Sequence, residues 1–493
     1  MATVDEVGGP VPGTNRTERD EHPHKLDTGA LHFLDSIVMA VAGSAPAYSI
    51  AVVTFAIVGS VGFASPAALL WCGIPMLGIA IAYAQLNKMG ANAGAAYAWV
   101  GRVMHPYLGF IAGWCVVISA TIFMVEGSLP AGSATVSLFS AHAATQAGWY
   151  TIVGAIWFLL MAYFVARGVR ITANAQWVMS SIEITLLLIF GIWALLHHHV
   201  HAFSWSWLWF SHFGSPGKFA SGALIAAFYY WGWDVSSNLS EETEGSETNS
   251  GAGGIIGVII CFVLFEMFTI AVNMIMTQKA IANAGPAVLQ DLGQILGHSI
   301  GAKLMIIALM LSTIATLETT LIQVTRSLFS MARDATLPAA FGRLHAGWNT
   351  PAFATGVIVV ISLVLFIVSN FVGSINSVLA DGELAIDLQI AVYYSLAGFA
   401  AVVGFRRYAF KSFKNLMLMF VFPLIGGCFM VYIFIAAIAT GTVAGTALWL
   451  GVGGIVIGAI PIAYYSAKGS AYLHRKPTLG RVEISSEPAP EAA

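Results

Sequence analysis

From Ser36 to Asn87 the chain carries no Lys, Arg, Asp or Glu, and comparable apolar runs recur along the rest of its length. A helix that crosses a bilayer needs about 20 predominantly apolar residues, so this one run is long enough for two such helices. Only 9% of the 493 residues are charged, whereas soluble domains carry roughly 25%. The sequence therefore predicts an all-α polytopic membrane protein.

Apolar runs of sufficient length predict twelve transmembrane helices, which we number as spans 1 to 12. They occupy residues 31–58, 65–87, 104–138, 148–166, 173–197, 219–242, 252–277, 301–331, 352–371, 383–405, 415–440 and 445–466. An even number of spans leaves both termini on one side of the membrane. Placing the termini in the cytoplasm puts all but three of the 21 Lys and Arg residues there, as the positive-inside rule requires. We therefore expect a multi-pass protein of the cell membrane with both termini cytoplasmic.

The polar ends of the chain are expected to be tails. Residues 1–30 and 467–493 contain no long apolar run, so we expect a disordered cytoplasmic N-terminal tail and a cytoplasmic C-terminal tail. Residues 31–405 hold spans 1 to 10 and are expected to form the core. Residues 406–466 add spans 11 and 12.

The sequence shows no signature of a zinc peptidase, of a nucleotide-binding enzyme or of a metal site. It contains no HExxH motif and no P-loop, which are the patterns of zinc peptidases and nucleotide-binding enzymes. The four cysteines stand singly in apolar segments without CxxC spacing, so we expect them to be buried and to bind no metal. We expect no enzyme activity and no cofactor, and a net charge of -3 does not indicate a nucleic-acid partner.

Two of the predicted spans are interrupted at corresponding places. Span 1 contains Gly43-Ser44-Ala45-Pro46, and span 6 contains Tyr230-Trp231-Gly232-Trp233-Asp234. In hydrocarbon an unpaired backbone group costs several kcal/mol, so such a break needs protein or a water-filled cavity to satisfy it. Matched breaks in two halves of a chain indicate the substrate site of a transporter. The alternative is that each Gly or Pro only kinks a packed helix.

The position of the breaks also predicts an internal symmetry. Spans 1 and 6 begin two groups of five helices, spans 1–5 and spans 6–10. Because five is odd, the two groups cross the membrane in opposite senses, which is the arrangement of an inverted repeat. The predicted fold is therefore an inverted 5+5 repeat followed by two C-terminal helices.

Three further segments resemble those of the amino acid–polyamine–organocation (APC) permeases. The segments are Gly90-Ala91-Asn92-Ala93-Gly94-Ala95-Ala96-Tyr97 with Gly109-Phe110-Ile111-Ala112-Gly113-Trp114, then Asn238-Leu239-Ser240-Glu241-Glu242-Thr243, and Arg326–Asp334 with Leu337-Pro338 and Thr350-Pro351. They follow one another in the family's order across residues 40 to 355. The resemblance implies a LeuT-type fold with alternating access around spans 1 and 6.

The resemblance also implies a substrate site at the two breaks. In such permeases, free amides at the span 1 break hold the substrate carboxylate and carbonyls at the breaks hold its amine. By position, the substrate-binding candidates in this chain are Gly43, Ser44, Ala45, Pro46 and Tyr48, together with Phe228, Trp231, Gly232, Trp233 and Asp234. Many relatives have G-S-G-I or G-T-G-I at the first break. Pro46 departs from that pattern and removes one N–H, which leaves the carboxylate to the hydroxyls of Ser44 and Tyr48 and leaves room for amines.

Carboxylates in spans 5 and 8 are candidates for ion coupling. Some proton-coupled relatives have a lysine seven residues after a Gln in span 5, whereas this chain has Glu183 after Gln176. Span 8 carries Glu318, with Thr319 and Thr320 beside it. Since burial disfavours the charged form of a carboxylate, we expect Glu183 and Glu318 to bind and release a proton. The alternatives are a Na⁺ held by Glu318 and the threonine hydroxyls, or glutamates that only hydrogen-bond to a neighbouring helix.

The sequence thus predicts a secondary transporter that moves an amino acid, driven by a proton. The alternatives are transport of a polyamine or another organic amine, Na⁺ coupling, exchange, or a permease-like sensor that binds without transporting. The expected partners are this small solute, a proton or Na⁺, and membrane lipid. We also expect a structural role for three acidic residues in the predicted spans: Glu126, Glu266 and Asp387.

Overall fold

The computed structural model describes residues 25–197, 199–372 and 375–478. Within these ranges the chain is helical apart from its turns and one isolated bridge between Leu31 and Thr243, which confirms the all-α prediction. Ten helical stretches of the described chain are long and apolar enough to cross a membrane, so this is a multi-pass membrane protein. The count of twelve spans stays a prediction. Most of the predicted tails, residues 1–24 and 479–493, lies outside the described ranges.

The first half of the chain forms ten α-helices. They are α1 (Phe33–Ser44), α2 (Pro46–Val61), α3 (Ser65–Asn87), α4 (Ala96–Val103), α5 (Pro106–Ser137), α6 (Ala141–Ala144), α7 (Ala147–Arg167), α8 (Val169–Leu196), α9 (Pro216–Tyr229) and α10 (Val235–Asn238). Short 3₁₀ segments lie at Gly62–Ala64, Trp205–Leu208, Phe210–His212 and Ser240–Glu242.

The second half forms ten more. They are α11 (Asn249–Ile275), α12 (Gln278–Ala284), α13 (Val288–Arg333), α14 (Ala352–Val372), α15 (Ile375–Ala409), α16 (Phe413–Leu416), α17 (Phe422–Ala439), α18 (Gly445–Leu448), α19 (Gly454–Ile457) and α20 (Ala459–Ala467). Here 3₁₀ segments lie at Gly285–Ala287 and Ala339–Gly342, and π-helical turns at Met417–Val421 and Trp449–Gly453. The helix α13 is kinked where Gly297 and His298 leave helical geometry.

Local sequence explains where several helices begin. Pro46, Pro106 and Pro216 occupy the first turns of α2, α5 and α9, where a helix does not need the N–H that proline lacks. Gly168, with a φ of 141°, joins α7 directly to α8 in a conformation that side chains rarely adopt. These residues fix the helix ends that the apolar runs only approximately predict.

The helices pack into one core whose outer faces remain apolar. The interior of the bundle is built from α1, α2, α3, α5, α11, α13 and α15, which pack against one another. Apolar side chains on the opposite sides of α7, α8 and α14 are exposed, as in Ile156, Ile189 and Val360. Such faces suit lipid, where no hydrophobic force drives them inward. Cys72, Cys115 and Cys261 are buried as predicted, but the prediction for Cys428 was wrong, because it lies on an exposed face of α17.

Candidate functional site

The first break lies where the sequence predicts it, between α1 and α2. Ala45 joins the two helices in the left-handed conformation, with φ 47° and ψ 66°. Its N–H donates to the carbonyl oxygens of Val41 and Ala42, which closes α1, and Pro46 then begins α2. The predicted span 1 therefore contains two separate helices joined by one left-handed residue.

The second break separates α9 from α10. The helix α9 ends at Tyr229, and the chain runs without regular helix through Tyr230–Asp234, with Gly232 at a φ of 96°. A φ of this value favours glycine, because a side chain would clash with its own backbone. Both interruptions therefore involve a left-handed residue inside an apolar segment.

The two breaks touch each other through their backbones. A Cβ atom built on Gly43 would overlap the carbonyl oxygen of Gly232, and one built on Gly232 would overlap the carbonyl oxygen of Gly43. The surrounding candidates Ser44, Trp231 and Asp234 are all less than 5% exposed. These three residues are therefore buried around the contact between the two breaks.

Side chains of this protein occupy the amides at the start of α2. The N–H of Ala47 donates to Oε1 of Glu183 at 2.8 Å, and the N–H of Tyr48 donates to the hydroxyl of Ser312 at 3.1 Å. Pro46 has no N–H to offer. A carboxylate at a helix N-terminus is favourable because it faces the positive end of the helix dipole. The group that relatives are expected to offer to a substrate carboxylate is thus engaged by Glu183 here.

Aromatic rings line the region beside the first break. The ring of Phe123 in α5 meets Tyr48 edge to face at 5.8 Å and Trp231 at 5.3 Å. Trp231 also packs on Phe228, and its indole N–H donates to the hydroxyl of Tyr393 at 2.7 Å. Edge-to-face contacts of this kind fix ring orientation. The three aromatic candidates Tyr48, Phe228 and Trp231 consequently share one apolar wall.

Asp234 and Trp233 face the opposite way, toward α13 and α15. Gln323 donates to Oδ2 of Asp234 at 2.8 Å, and the hydroxyl of Tyr394 donates to Oδ1 at 3.0 Å. The Trp233 ring stacks on Tyr394 at 5.7 Å. These contacts satisfy both oxygens of the buried Asp234 carboxylate. Asp234 therefore ties the second break to two other helices and does not face the wall that contains Tyr48.

The two glutamates predicted for ion coupling have different partners. Glu183 contacts α2, whereas Oε2 of Glu318 accepts a hydrogen bond from Nε2 of Gln176 at 2.5 Å. Gln176 and Glu183 are two helical turns apart on α8, which is about 10 Å. The two carboxylates thus occupy separate levels of the interface between α8 and α13.

The neighbouring threonines are partly used by backbone. Thr316 donates to the carbonyl oxygen of Gly43 at 3.0 Å and so satisfies a group that the first break leaves free. Thr319 donates back to carbonyl oxygens of its own helix, those of Ala315 and Thr316. Thr320 is buried on the same helix. The hydroxyl that reaches the first break is therefore that of Thr316, another of the threonines that flank Glu318.

The three segments that carry the family resemblance meet in one network. Arg326 of α13 makes a buried two-pronged ion pair with Glu242, with distances of 2.9 and 3.0 Å. Arg333 makes a second such pair with Glu241, whose Oε1 also accepts from the N–H of Ala93. Asn238 donates to the carbonyl oxygen of Ala93 and to Ser327. These bonds lock the loop before α4 and the segment after α10 to the end of α13.

The described part of the C-terminal tail lies against the same side of the molecule. The ring of Tyr472 stacks on Tyr97 at 4.7 Å, and its hydroxyl donates to the carbonyl oxygen of Tyr97 at 2.8 Å. A Cβ atom on Gly101 or Gly109 would overlap that hydroxyl. Nearby, burial raises the pKa of Asp334 above its ordinary value. Gly101 and Gly109 therefore form a slot that Tyr472 fills.

Sequence reasoning missed several residues that complete these contacts. Ser312, Gln323, Tyr393 and Tyr394 all touch predicted site residues. They stand in apolar helices without any motif, so their spacing gave no signal. Phe123 likewise lies in an apolar helix, and no motif marked it as a site residue.

One hydrolase-like pattern is present in the sequence, at Gly297-His298-Ser299-Ile300-Gly301. In serine hydrolases GxSxG forms a sharp turn between a strand and a helix. Here it lies at the kink of α13 with helix on both sides, so the nucleophile turn is not formed.

Comparison with known proteins agrees with the geometry. The sequence profile of the family described as "Amino acid permease" matches residues 31–460. A methylthioribose transporter of Bacillus subtilis is 25% identical over 327 residues, which cover 62% of this chain and 69% of the relative. A serine/threonine exchanger of the same organism is 22% identical over 382 residues, covering 73% and 82%. A low-affinity putrescine importer of Escherichia coli is 24% identical over 350 residues, covering 69% and 71%. These are names of permeases and not of enzymes.

Proposed function

The chain belongs to the amino acid permease family of APC transporters, and we propose that it moves an amino acid or a related amine across the cell membrane by alternating access. The observation that carries this proposal is the backbone contact between two broken helices at Gly43 and Gly232. Breaks of this kind are costly in hydrocarbon and are tolerated where they serve a site.

We infer twelve spans arranged as an inverted repeat. The stretch Phe33–Asn87 counts as one apolar helical unit of 55 residues, about 80 Å if straight, and it turns at Gly62–Ala64. A bilayer core about 30 Å thick therefore accommodates it as two spans. The segment from Pro216 to Glu242 is divided by the second break, so neither part reaches the length of a span on its own. Counting Phe33–Asn87 as two spans and adding Pro216–Glu242 as one raises the ten apolar stretches to twelve spans.

The network around Arg326 is proposed to be the closed cytoplasmic gate. It joins the ends of spans 2, 6 and 8 where the basic residues concentrate, which the positive-inside rule assigns to the cytoplasm. The buried pair of Arg326 with Glu242 and the outer pair of Arg333 with Glu241 must both separate for that side to open. With the site residues buried as well, we take the structure to represent an occluded state.

The wall formed by Tyr48, Phe123, Phe228 and Trp231 is the proposed substrate surface. It lies directly beside the first break and is contributed by spans 1, 3 and 6. Relatives of this family carry solutes as different as methylthioribose and putrescine, as their names state. The family thus supports transport of a small solute without fixing which one.

Glu183 is the proposed coupling group. Its carboxylate caps the N-terminus of α2 through Ala47, and an ionised carboxylate accepts such a bond more strongly than a neutral acid does. A proton on Glu183 would weaken this cap and free α2 to move relative to α8. Glu318, held by Gln176, is proposed as a second group that steadies the same interface.

The test is uptake by the purified protein in liposomes. Saturable uptake driven by an imposed pH gradient is expected, and a protein that binds solute without moving it would be a sensor. Glu183→Gln should abolish acceleration by the gradient, because the amide cannot take up a proton. Glu244→Gln, a change at an exposed carboxylate, should leave it intact. If Glu183→Gln kept the normal pH profile, Glu183 would not be the coupling group.

A further inference from the structure

Three acidic residues lie along the contact between α5 and α15. Glu126 of α5 lies against Gly382, since a Cβ atom on this glycine would overlap Oε1 of Glu126. Glu383 is the next residue, and Asp387 follows one helical turn later on the same face. The three groups are close enough to influence one another electrostatically. We call this set the acidic cluster.

Most of the buried carboxylate oxygens in the acidic cluster have no hydrogen-bond partner within the protein. Glu126 and Asp387 are each 1% exposed, yet Oε1 of Glu126 and both oxygens of Asp387 have no hydrogen-bond partner. Buried polar groups are nearly always hydrogen-bonded, and Asp234 and Glu242 use both of their carboxylate oxygens in such bonds. The cluster is therefore built to receive a donor that comes from outside the chain.

Compensating positive charge is also missing from the neighbouring sequence. No Lys or Arg occurs in residues 103–166, which include α5, or in residues 344–405, which include most of α15. Residues 26–87, which hold α1 to α3, contain none either. An ionised acid at membrane depth is costly without an opposite charge. The missing charge is one that a bound solute could bring.

The acidic cluster borders the proposed substrate surface. Glu126 stands one helical turn after Phe123, whose ring contacts Tyr48 and Trp231. Tyr48 lies within electrostatic range of both Glu126 and Glu383. Aromatic faces attract ammonium groups, most strongly when the pair is shielded from water. Rings and carboxylates together form a surface suited to an organic cation.

The amides at the start of α2 are not free to bind a substrate carboxylate. At the first break the N–H groups of Ala47 and Tyr48 are taken by Glu183 and Ser312. Pro46 has no N–H. A free carboxylate bound here would add negative charge next to the acidic cluster, which disfavours an amino acid relative to the amine of the same skeleton.

A bare metal ion does not fit the arrangement. Among the described residues, no three Asp, Glu, His or Cys side chains converge closely enough to hold one. Carboxylates spread along a helix face suit an ammonium group, which is larger and binds through directed hydrogen bonds.

We propose that the transported solute is an organic amine without a free carboxylate, and that Glu126, Glu383 and Asp387 bind its ammonium group. This inference rests on the proposed transport function and names its substrate class.

The experiment compares each amine with the amino acid of the same skeleton. The pairs are 1,4-diaminobutane with ornithine and phenylethylamine with phenylalanine. Binding to the purified full-length protein is measured by thermal shift, and uptake is measured in liposomes. At least one amine should bind about tenfold or more tightly than its amino acid, the size expected for one charge-assisted hydrogen bond. Preference for the amino acids would overturn the inference and leave the transport function intact.

Variants assign the preference to the acidic cluster. Glu126→Gln, Glu383→Gln and Asp387→Asn should each raise the KM for the amine about tenfold. Glu266→Gln, the same change at an acid of α11 outside the cluster, should stay within twofold. Each variant is checked for a monodisperse size-exclusion profile, and the milder Glu383→Gln remains informative if the fully buried positions do not fold. Variants with an altered pH profile but an unchanged KM would identify a proton site and overturn the inference, as would amines that neither bind nor enter.

Discussion

Gly43 and Gly232 lie backbone against backbone, so that a methyl group on either would overlap the carbonyl oxygen of the other. Backbones that approach this closely need glycine at the contact, as is also common between membrane helices. The contact joins the two breaks directly. Any movement of α1 relative to the second break must therefore change this contact.

Replacing Gly43 by alanine should disrupt this contact. The added methyl group would force the breaks apart, and we expect Gly43→Ala to reduce uptake at least tenfold and to lower the thermal unfolding temperature. Gly59→Ala in α2 is the matched control, because a Cβ atom there meets nothing within 4 Å. Uptake by proteoliposomes and thermal unfolding in detergent would be measured for both. Normal uptake by Gly43→Ala would show that the close approach is not required.

The two ion pairs at the end of α13 should contribute very different amounts to the stability of the folded protein. Arg326 and Glu242 are fully buried, whereas the Arg333 and Glu241 side chains are 32% and 19% exposed. Removing one partner of a buried pair leaves an uncompensated charge and costs about 3–5 kcal/mol. An exposed pair contributes about 0–1 kcal/mol. Arg326→Ala should therefore destabilise the protein far more than Arg333→Ala.

Thermal unfolding of the two variants in the same detergent would compare them directly. A double variant with Arg326→Met and Glu242→Leu should recover much of the loss, because it removes both charges together. Equal destabilisation by the two single alanine variants would contradict a larger contribution of the buried pair to stability.

The threonines of α13 separate two interpretations of ion coupling. Thr316 satisfies the carbonyl oxygen of Gly43, whereas Thr319 bonds within its own helix. We expect Thr316→Val to reduce uptake about tenfold, because it leaves the buried carbonyl oxygen of Gly43 without a hydrogen bond. Uptake by Thr319→Val should stay near that of the unchanged protein. Uptake would be measured with and without Na⁺. Loss of a Na⁺ requirement in Thr319→Val would instead favour a sodium site at this threonine.

Much of this architecture could be predicted because the membrane restricts the choices. Apolar runs gave the helical fold, and α3 coincides with the predicted residues 65–87. Gly43, Pro46 and Gly232 marked the breaks through their backbone chemistry. The left-handed turn itself falls on Ala45, a residue type that gives no such signal, so only the neighbourhood of the break was readable.

The side chains that contact the site residues could not be predicted from the sequence. Glu183 and Ala47 are 136 residues apart, and their meeting depends on how α8 is rotated against α2. Periodicity cannot determine that rotation when a helix is apolar on every side. The acidic cluster is a different case. Glu383 and Asp387 stand four residues apart inside an apolar helix, and that spacing was a signal that the sequence analysis did not use.

The C-terminal segment provides a final prediction. Tyr472 is 5% exposed and fills the slot formed by Gly101 and Gly109. Its removal by Tyr472→Ala should cost about 3–5 kcal/mol, as for other large buried rings. Tyr472→Phe keeps the stacking on Tyr97 and loses only the hydroxyl bond, so about 1 kcal/mol is expected. Tyr464→Ala, at a ring that is 51% exposed, should change stability by less than about 0.5 kcal/mol. Unfolding of the three variants in detergent would rank them, and equal stability of Tyr472→Ala and Tyr464→Ala would mean that the segment does not hold this side of the protein together.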